Sequence, residues 1–113
     1  FRQRRVMEQA LETGSADLIG VGRPMCVMTD APNQLLAGLD ELPRYENNLA
    51  LFPRWLSFLN AIKPLGALAS FAVQYWYYGQ IYALGHRGQV DDNLSVLAAT
   101  QQIMAREKRL TAK

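Results

Sequence analysis

The chain has few of the residues that build cross-linked or metal-bound proteins. Its 113 residues include one cysteine, Cys26, and one histidine, His86. A single cysteine excludes an internal disulfide and any multi-cysteine metal or iron–sulfur site. We therefore expect no iron–sulfur cluster in this segment, no metal ligands, and a reducing, cytoplasmic setting.

Charge of one sign is not concentrated in a long patch. Twelve basic and ten acidic residues give a formal net charge of +2, and the basic residues cluster only at 2–5 and 106–109. A basic stripe interleaved with aromatic residues is missing, so nucleic acid is not an expected partner. The basic start is followed by Glu8 and Glu12 rather than by an apolar run, which does not fit a signal peptide.

Half of the residues are apolar, and their spacing predicts mainly helices. Val6, Met7, Ala10 and Leu11 share one helical face before Gly14, a residue typical of helix ends. Further helices are predicted at 33–37, from about residue 52 to 62, at 65–84 and at 94–109. Lys63-Pro64 separates the second of these from the third, and residues 91–93 are expected to cap the last one.

One strand is predicted, and it leads into the most informative run of the chain. Residues 17–21 are largely apolar and are followed by Gly22-Arg23-Pro24. Glycine lets an anion approach the backbone, arginine offers a fork of donors to phosphate oxygens, and proline suits a helix start. Gly22 and Arg23 are therefore the candidate phosphate-binding residues.

Residues 1–38 resemble the C-terminal end of Old Yellow Enzyme-type NADH:flavin oxidoreductases. The resemblance is carried by four segments: Phe1-Arg2, the continuous run 7–24, Asp30-Ala31-Pro32 and residues 35–38. A looser similarity covers 74–81, which resembles the terminal helix of some members.

The resemblance implies an α/β fold: the end of a (β/α)8 barrel, comprising its helix 7, strand 8 and helix 8 region, followed by a mostly helical extension. It implies FMN as cofactor, held at its phosphate by Gly22 and Arg23, and NAD(P)H as the reductant of the full-length enzyme. That enzyme would reduce an activated alkene or a similar acceptor, with its small-molecule substrate gripped by an N-terminal part that this chain lacks. No catalytic residue is assigned here, and the fragment alone is expected to be inactive.

The resemblance divides the chain into a barrel end at 1–38, a connection at 39–53 and a helical extension at 54–113. Residues 64–85 have no charged side chain and are about as long as a bilayer-crossing helix. They predict a helix packed on the barrel or on a partner, which favours a homo-oligomer, or a membrane-associated helix. A non-catalytic helical interaction module or a membrane-associated module is therefore the alternative function.

Overall fold

The computed structural model describes residues 1–112 and forms two compact units, Phe1–Asn47 and a second unit that begins at Asn48. The α-helices are α1 (Arg4–Glu12), α2 (Ala31–Leu36), α3 (Lys63–Arg87) and α4 (Val96–Thr111). Short 3₁₀ helices cover Arg23–Cys26, Tyr45–Asn48 and Arg54–Ala61. Residues 1–112 contain no β-strand, and their β pairing is limited to an isolated antiparallel bridge between Gln3 and Glu41.

The first unit is held together by a small apolar cluster. Met7 of α1, Ala31 of α2 and Leu42 are buried together, and five half-buried side chains pack against them: Ile19, Val21, Met28, Leu35 and Leu39. Gly14 follows α1 with φ 69°, a left-handed conformation that glycine adopts without steric cost, so the predicted helix end is confirmed.

The α/β barrel prediction is wrong, because residues 17–21 form no strand. A strand needs a neighbour to receive its backbone hydrogen bonds, and no second strand is found in residues 1–112 to provide one. Ile19 and Val21 still turn toward the Met7 cluster, whereas Leu18 is 85% exposed. The apolar run therefore packs against helices through Ile19 and Val21, and residues 1–112 are mainly helical without a barrel.

The second unit is a helical hairpin of α3 and α4. Its core is a stripe of α3 packed against a stripe of α4, and the buried residues are Ala72, Trp76, Tyr77, Gly79, Gln80, Ala83, Val96, Ala99, Thr100 and Ile103. Three of these are alanines and one is glycine, which permits a close approach of the two helices. The long helix predicted at 65–84 is confirmed and extends to Arg87, where Gly88 at φ 71° ends it.

The connection from 88 to 95 is fixed by side chains of α3. The buried Gln80 side chain donates through Nε2 to the Asp91 carbonyl at 2.9 Å and accepts from the Asp91 N–H at 2.8 Å. Trp76 Nε1 donates to the Leu94 carbonyl at 2.8 Å. Ser95, rather than the predicted 91–93 run, caps α4, because its hydroxyl accepts from the Ala98 N–H.

Asp91 makes the second unit sensitive to acid. The Arg87 guanidinium, 2.9 Å away, lowers the pKa of the Asp91 carboxyl, and the Asn93 N–H acts in the same direction. This stabilisation is fully present above the ordinary aspartate pKa of about 3.9 and is lost as pH falls through the lowered folded-state pKa. We expect Asp91→Asn to flatten the acid limb of the urea midpoint plotted against pH. An acid limb as steep as that of the unchanged chain would contradict this assignment.

The 3₁₀ helix Arg54–Ala61 and α3 meet at a sharp bend of 119°. Ile62 is extended between them, and Lys63-Pro64 open α3 as the sequence predicts. Gly66 makes the close approach possible, because a Cβ at this position would meet the backbone carbonyl oxygen of Asn60.

Two glycines of α3 are expected to respond in opposite ways to alanine. Gly66→Ala should lower the free energy of unfolding of the second unit by about 1–3 kcal/mol, since a backbone oxygen cannot move aside as a side chain can. Gly85→Ala places its methyl group in open space and should stabilise α3 by up to about 1 kcal/mol. Urea unfolding followed by circular dichroism measures both. A neutral Gly66→Ala would show that the bend does not depend on this contact.

Candidate functional site

The predicted phosphate-binding pair lies on the surface of the first unit. Gly22 is exposed and precedes the 3₁₀ helix Arg23–Cys26, whose second residue, Pro24, is buried. No heavy atom lies within 4 Å of the position that a Gly22 Cβ would occupy. The backbone is therefore open to a ligand from that side.

Two backbone donors at this turn have no acceptor among residues 1–112. The Gly22 carbonyl accepts from the Met25 N–H at 2.9 Å, whereas the N–H groups of Gly22 and Arg23 themselves donate to no protein atom. Free backbone N–H groups beside an arginine are the donor set that binds phosphate oxygens elsewhere in proteins.

The guanidinium groups of the first unit differ in what they contact. Arg2 is largely buried and donates to the Pro43 carbonyl at 3.1 Å and to Glu46 at 2.7 Å. The remaining carboxylate pairs of this unit are Arg4 with Glu8 and Asp40, and Arg44 with Glu41. Within the described residues, Arg23 and Arg5 make no such pair. The charge of Arg2 is already matched by Glu46.

Of the reactive side chains in the sequence, Cys26 lies in the same 3₁₀ helix as Arg23, whereas His86 lies in the second unit. Cys26 is half-buried, and burial raises the pKa of its thiol, so it stays protonated at neutral pH. His86 is exposed in the last turn of α3, in the second unit. Residues 1–112 contain no group of three or more histidine, cysteine or acidic side chains placed to hold a metal ion.

The first unit has an apolar groove of about 670 Å³, and some of its lining residues are sequence neighbours of the candidate pair. Val21 and Met25, which flank Gly22 to Pro24, both line it, together with α1 residues such as Met7 and Leu11. The Arg4–Glu8 pair lies at the same groove. Apart from this ion pair the lining of the groove is apolar, so the groove offers a ligand apolar contact area and no reactive group.

Part of the surface of α3 is aromatic and exposed, and at Tyr82 it borders α4. It carries Phe71, Tyr78, Ile81 and Tyr82. Phe71 stacks on Tyr75 with ring centroids 6.4 Å apart, and the Arg106 guanidinium lies 4.3 Å from the centroid of the Tyr82 ring. By length and hydropathy no single helix of residues 1–112 qualifies as a membrane span, whereas the 3₁₀ helix Arg54–Ala61 and α3 qualify together as a bent pair.

The first unit thus has an open, cationic turn at Gly22-Arg23, and the second unit has an exposed aromatic surface on α3. The resemblance to flavin oxidoreductases rests on residues 1–38 and, more loosely, on residues 74–81. Comparisons with protein-family models, with curated proteins and with solved structures find no match for this chain.

Proposed function

We propose that this chain is the C-terminal part of an FMN-dependent NAD(P)H oxidoreductase, in which Gly22 and Arg23 anchor the flavin phosphate. The uncommitted Arg23 guanidinium is the observation that carries the proposal. Three other arginines of the first unit form ion pairs with carboxylates, whereas Arg23 is exposed beside a backbone that is open to a ligand.

The donor set at this turn fits a phosphate group. The guanidinium supplies two parallel N–H donors for two phosphate oxygens, and the free N–H groups of Gly22 and Arg23 supply further donors close by. A tightly packed strand is not needed for such a site, because loop N–H groups bind anions equally well.

The role of the chain in this reaction is to bind and orient the cofactor. Bound FMN supplies the hydride chemistry, and the protein positions it. The residues of this chain would hold the phosphate end in place, while the turn itself is fixed by the buried Pro24 and by Val21, which packs against the Met7 cluster. An acceptor such as an activated alkene would be bound by other parts of the enzyme.

Comparison of FMN with riboflavin tests the anchor directly, since the two differ only by the phosphate. We expect FMN to bind more tightly than riboflavin in flavin-fluorescence titrations. Arg23→Ala should weaken FMN binding by about 30-fold, which corresponds to the loss of roughly 2 kcal/mol from a charged bidentate contact, and leave riboflavin unchanged.

Arg5→Ala is the matched control, because Arg5 is the other exposed arginine of the first unit without a carboxylate partner. It should leave FMN binding unchanged. If FMN and riboflavin bind equally, or if both arginine variants lose FMN to the same extent, Gly22-Arg23 is not a phosphate anchor.

A further inference from the structure

The 3₁₀ helix Arg54–Ala61 sorts its side chains into three rows. Side chains three residues apart eclipse one another in this helix type. One row is polar, with Arg54, Ser57 and Asn60. A second row is aliphatic, with Leu56 and Leu59, and a third contains Trp55, Phe58 and Ala61.

The aromatic row is the most exposed apolar surface of this segment. Trp55 is 76% exposed and Phe58 is 64% exposed, whereas Leu56 and Leu59 are half-buried. The helix packs on α3, so it is held in place without burying its two aromatic rings. Two large aromatic rings that stay exposed on successive turns of a packed helix indicate an apolar binding surface.

The charge around this row has one sign. No aspartate or glutamate occurs between Glu46 and Asp91, and this long stretch contains Arg54, Lys63 and Arg87. Arg54 begins the 3₁₀ helix and Lys63 follows it at the start of α3, and neither forms an ion pair within the described residues. The sequence does not reveal this arrangement at the α-helical spacing of 3.6 residues per turn, because Trp55 and Phe58 line up only at the 3₁₀ spacing of 3.0 residues per turn.

We propose that the second unit docks on an anionic lipid surface through Trp55 and Phe58, with Arg54 and Lys63 contacting the headgroups. Tryptophan favours the boundary between headgroups and acyl chains, and basic side chains beside it are attracted to anionic lipids. A second copy of the chain would present the same cations to Arg54 and Lys63, and its charges would repel rather than complement them. This docking is independent of flavin binding.

The two tryptophans make the proposal measurable in the unchanged chain. Trp76 is buried and hydrogen-bonded to the Leu94 carbonyl, so Trp55 is the tryptophan whose emission responds to a new apolar environment. We expect a blue shift and co-sedimentation with vesicles of phosphatidylcholine containing roughly one third phosphatidylserine, and little of either with phosphatidylcholine alone. About 0.5 M NaCl should reverse most of the binding, because it shortens the Debye length to a few Å.

Two double variants separate the parts of the surface. Arg54→Gln with Lys63→Gln should lower the vesicle partition coefficient by about 10–30-fold. Trp55→Ser with Phe58→Ser should lower it by at least about tenfold. Leu97→Ser, which removes an exposed apolar side chain from α4, is the matched control and should bind as the unchanged chain does.

Several outcomes would overturn the proposal. Absence of sedimentation with the anionic vesicles, equal binding to neutral vesicles, or an equal loss with Leu97→Ser would each do so. Self-association in sedimentation equilibrium that shifts the Trp55 emission without lipid would assign the surface to a second copy instead. If the aromatic variant fails to fold, by circular dichroism, the charge variant and the salt dependence of the unchanged chain still decide the question.

Discussion

Gln80→Met is expected to lower the free energy of unfolding of the second unit by about 3 kcal/mol. Methionine is close to glutamine in size, so the core stays filled, but it can neither donate to the Asp91 carbonyl nor accept from the Asp91 N–H. Gln80 is 1% exposed. Leaving polar groups unpaired where water has poor access costs about 1–3 kcal/mol for each group.

The same substitution at Gln74 is the matched control. Gln74 lies on the exposed side of α3 and bonds only to the Tyr78 hydroxyl, at 2.8 Å, so Gln74→Met should stay within about 0.5 kcal/mol. Urea unfolding measures both variants, and hydrogen exchange at the Asp91 amide gives a local readout. If Gln80→Met unfolds at the same urea concentration as Gln74→Met, the 88–95 connection is not held by Gln80.

Leu42→Ala is expected to destabilise the first unit by about 3 kcal/mol. Leu42 is fully buried against Met7 and Ala31, and deleting a buried leucine loses both its transfer free energy and its packing. Its N–H also donates to the Arg2 carbonyl at 2.9 Å, which brings residues 40–42 beside residues 2–4. A unit of this size has a small core, so a loss of this magnitude should leave it largely unfolded.

Leu36→Ala provides the comparison, because Leu36 is 88% exposed at the end of α2. It should change stability by less than about 0.5 kcal/mol. Hydrogen exchange at the Met7 and Ala31 amides reports on both variants. Retained protection at these amides in Leu42→Ala would mean that the cluster is not what stabilises the first unit.

The helices were predictable because their signals are local. The apolar face around Met7, the glycine after α1, the Lys63-Pro64 break and the uncharged run of α3 each lie within one element. The short helix that starts after Gly22 and contains Pro24 also follows from its immediate neighbours. Signals of this kind do not depend on where the rest of the chain lies.

The strand at 17–21 was mispredicted for the opposite reason. A short apolar run favours a strand, but a strand forms only where another strand offers hydrogen bonds. In this structure Ile19 and Val21 find an apolar surface on helices instead. The role of Gln80 was equally hidden, since its two partners are backbone atoms of Asp91, in a connection that follows the helix.

The sequence by itself therefore determined the positions of α1, α3 and α4 to within a few residues. Only the tertiary structure decided that residues 17–21 pack on helices, that Arg2, Arg4 and Arg44 are neutralised while Arg23 is free, and that Trp55 and Phe58 remain in water. Helix formation is governed by neighbours three and four residues away. Strand pairing, ion pairing and exposure depend on groups that are distant in the chain, and folding alone brings these together.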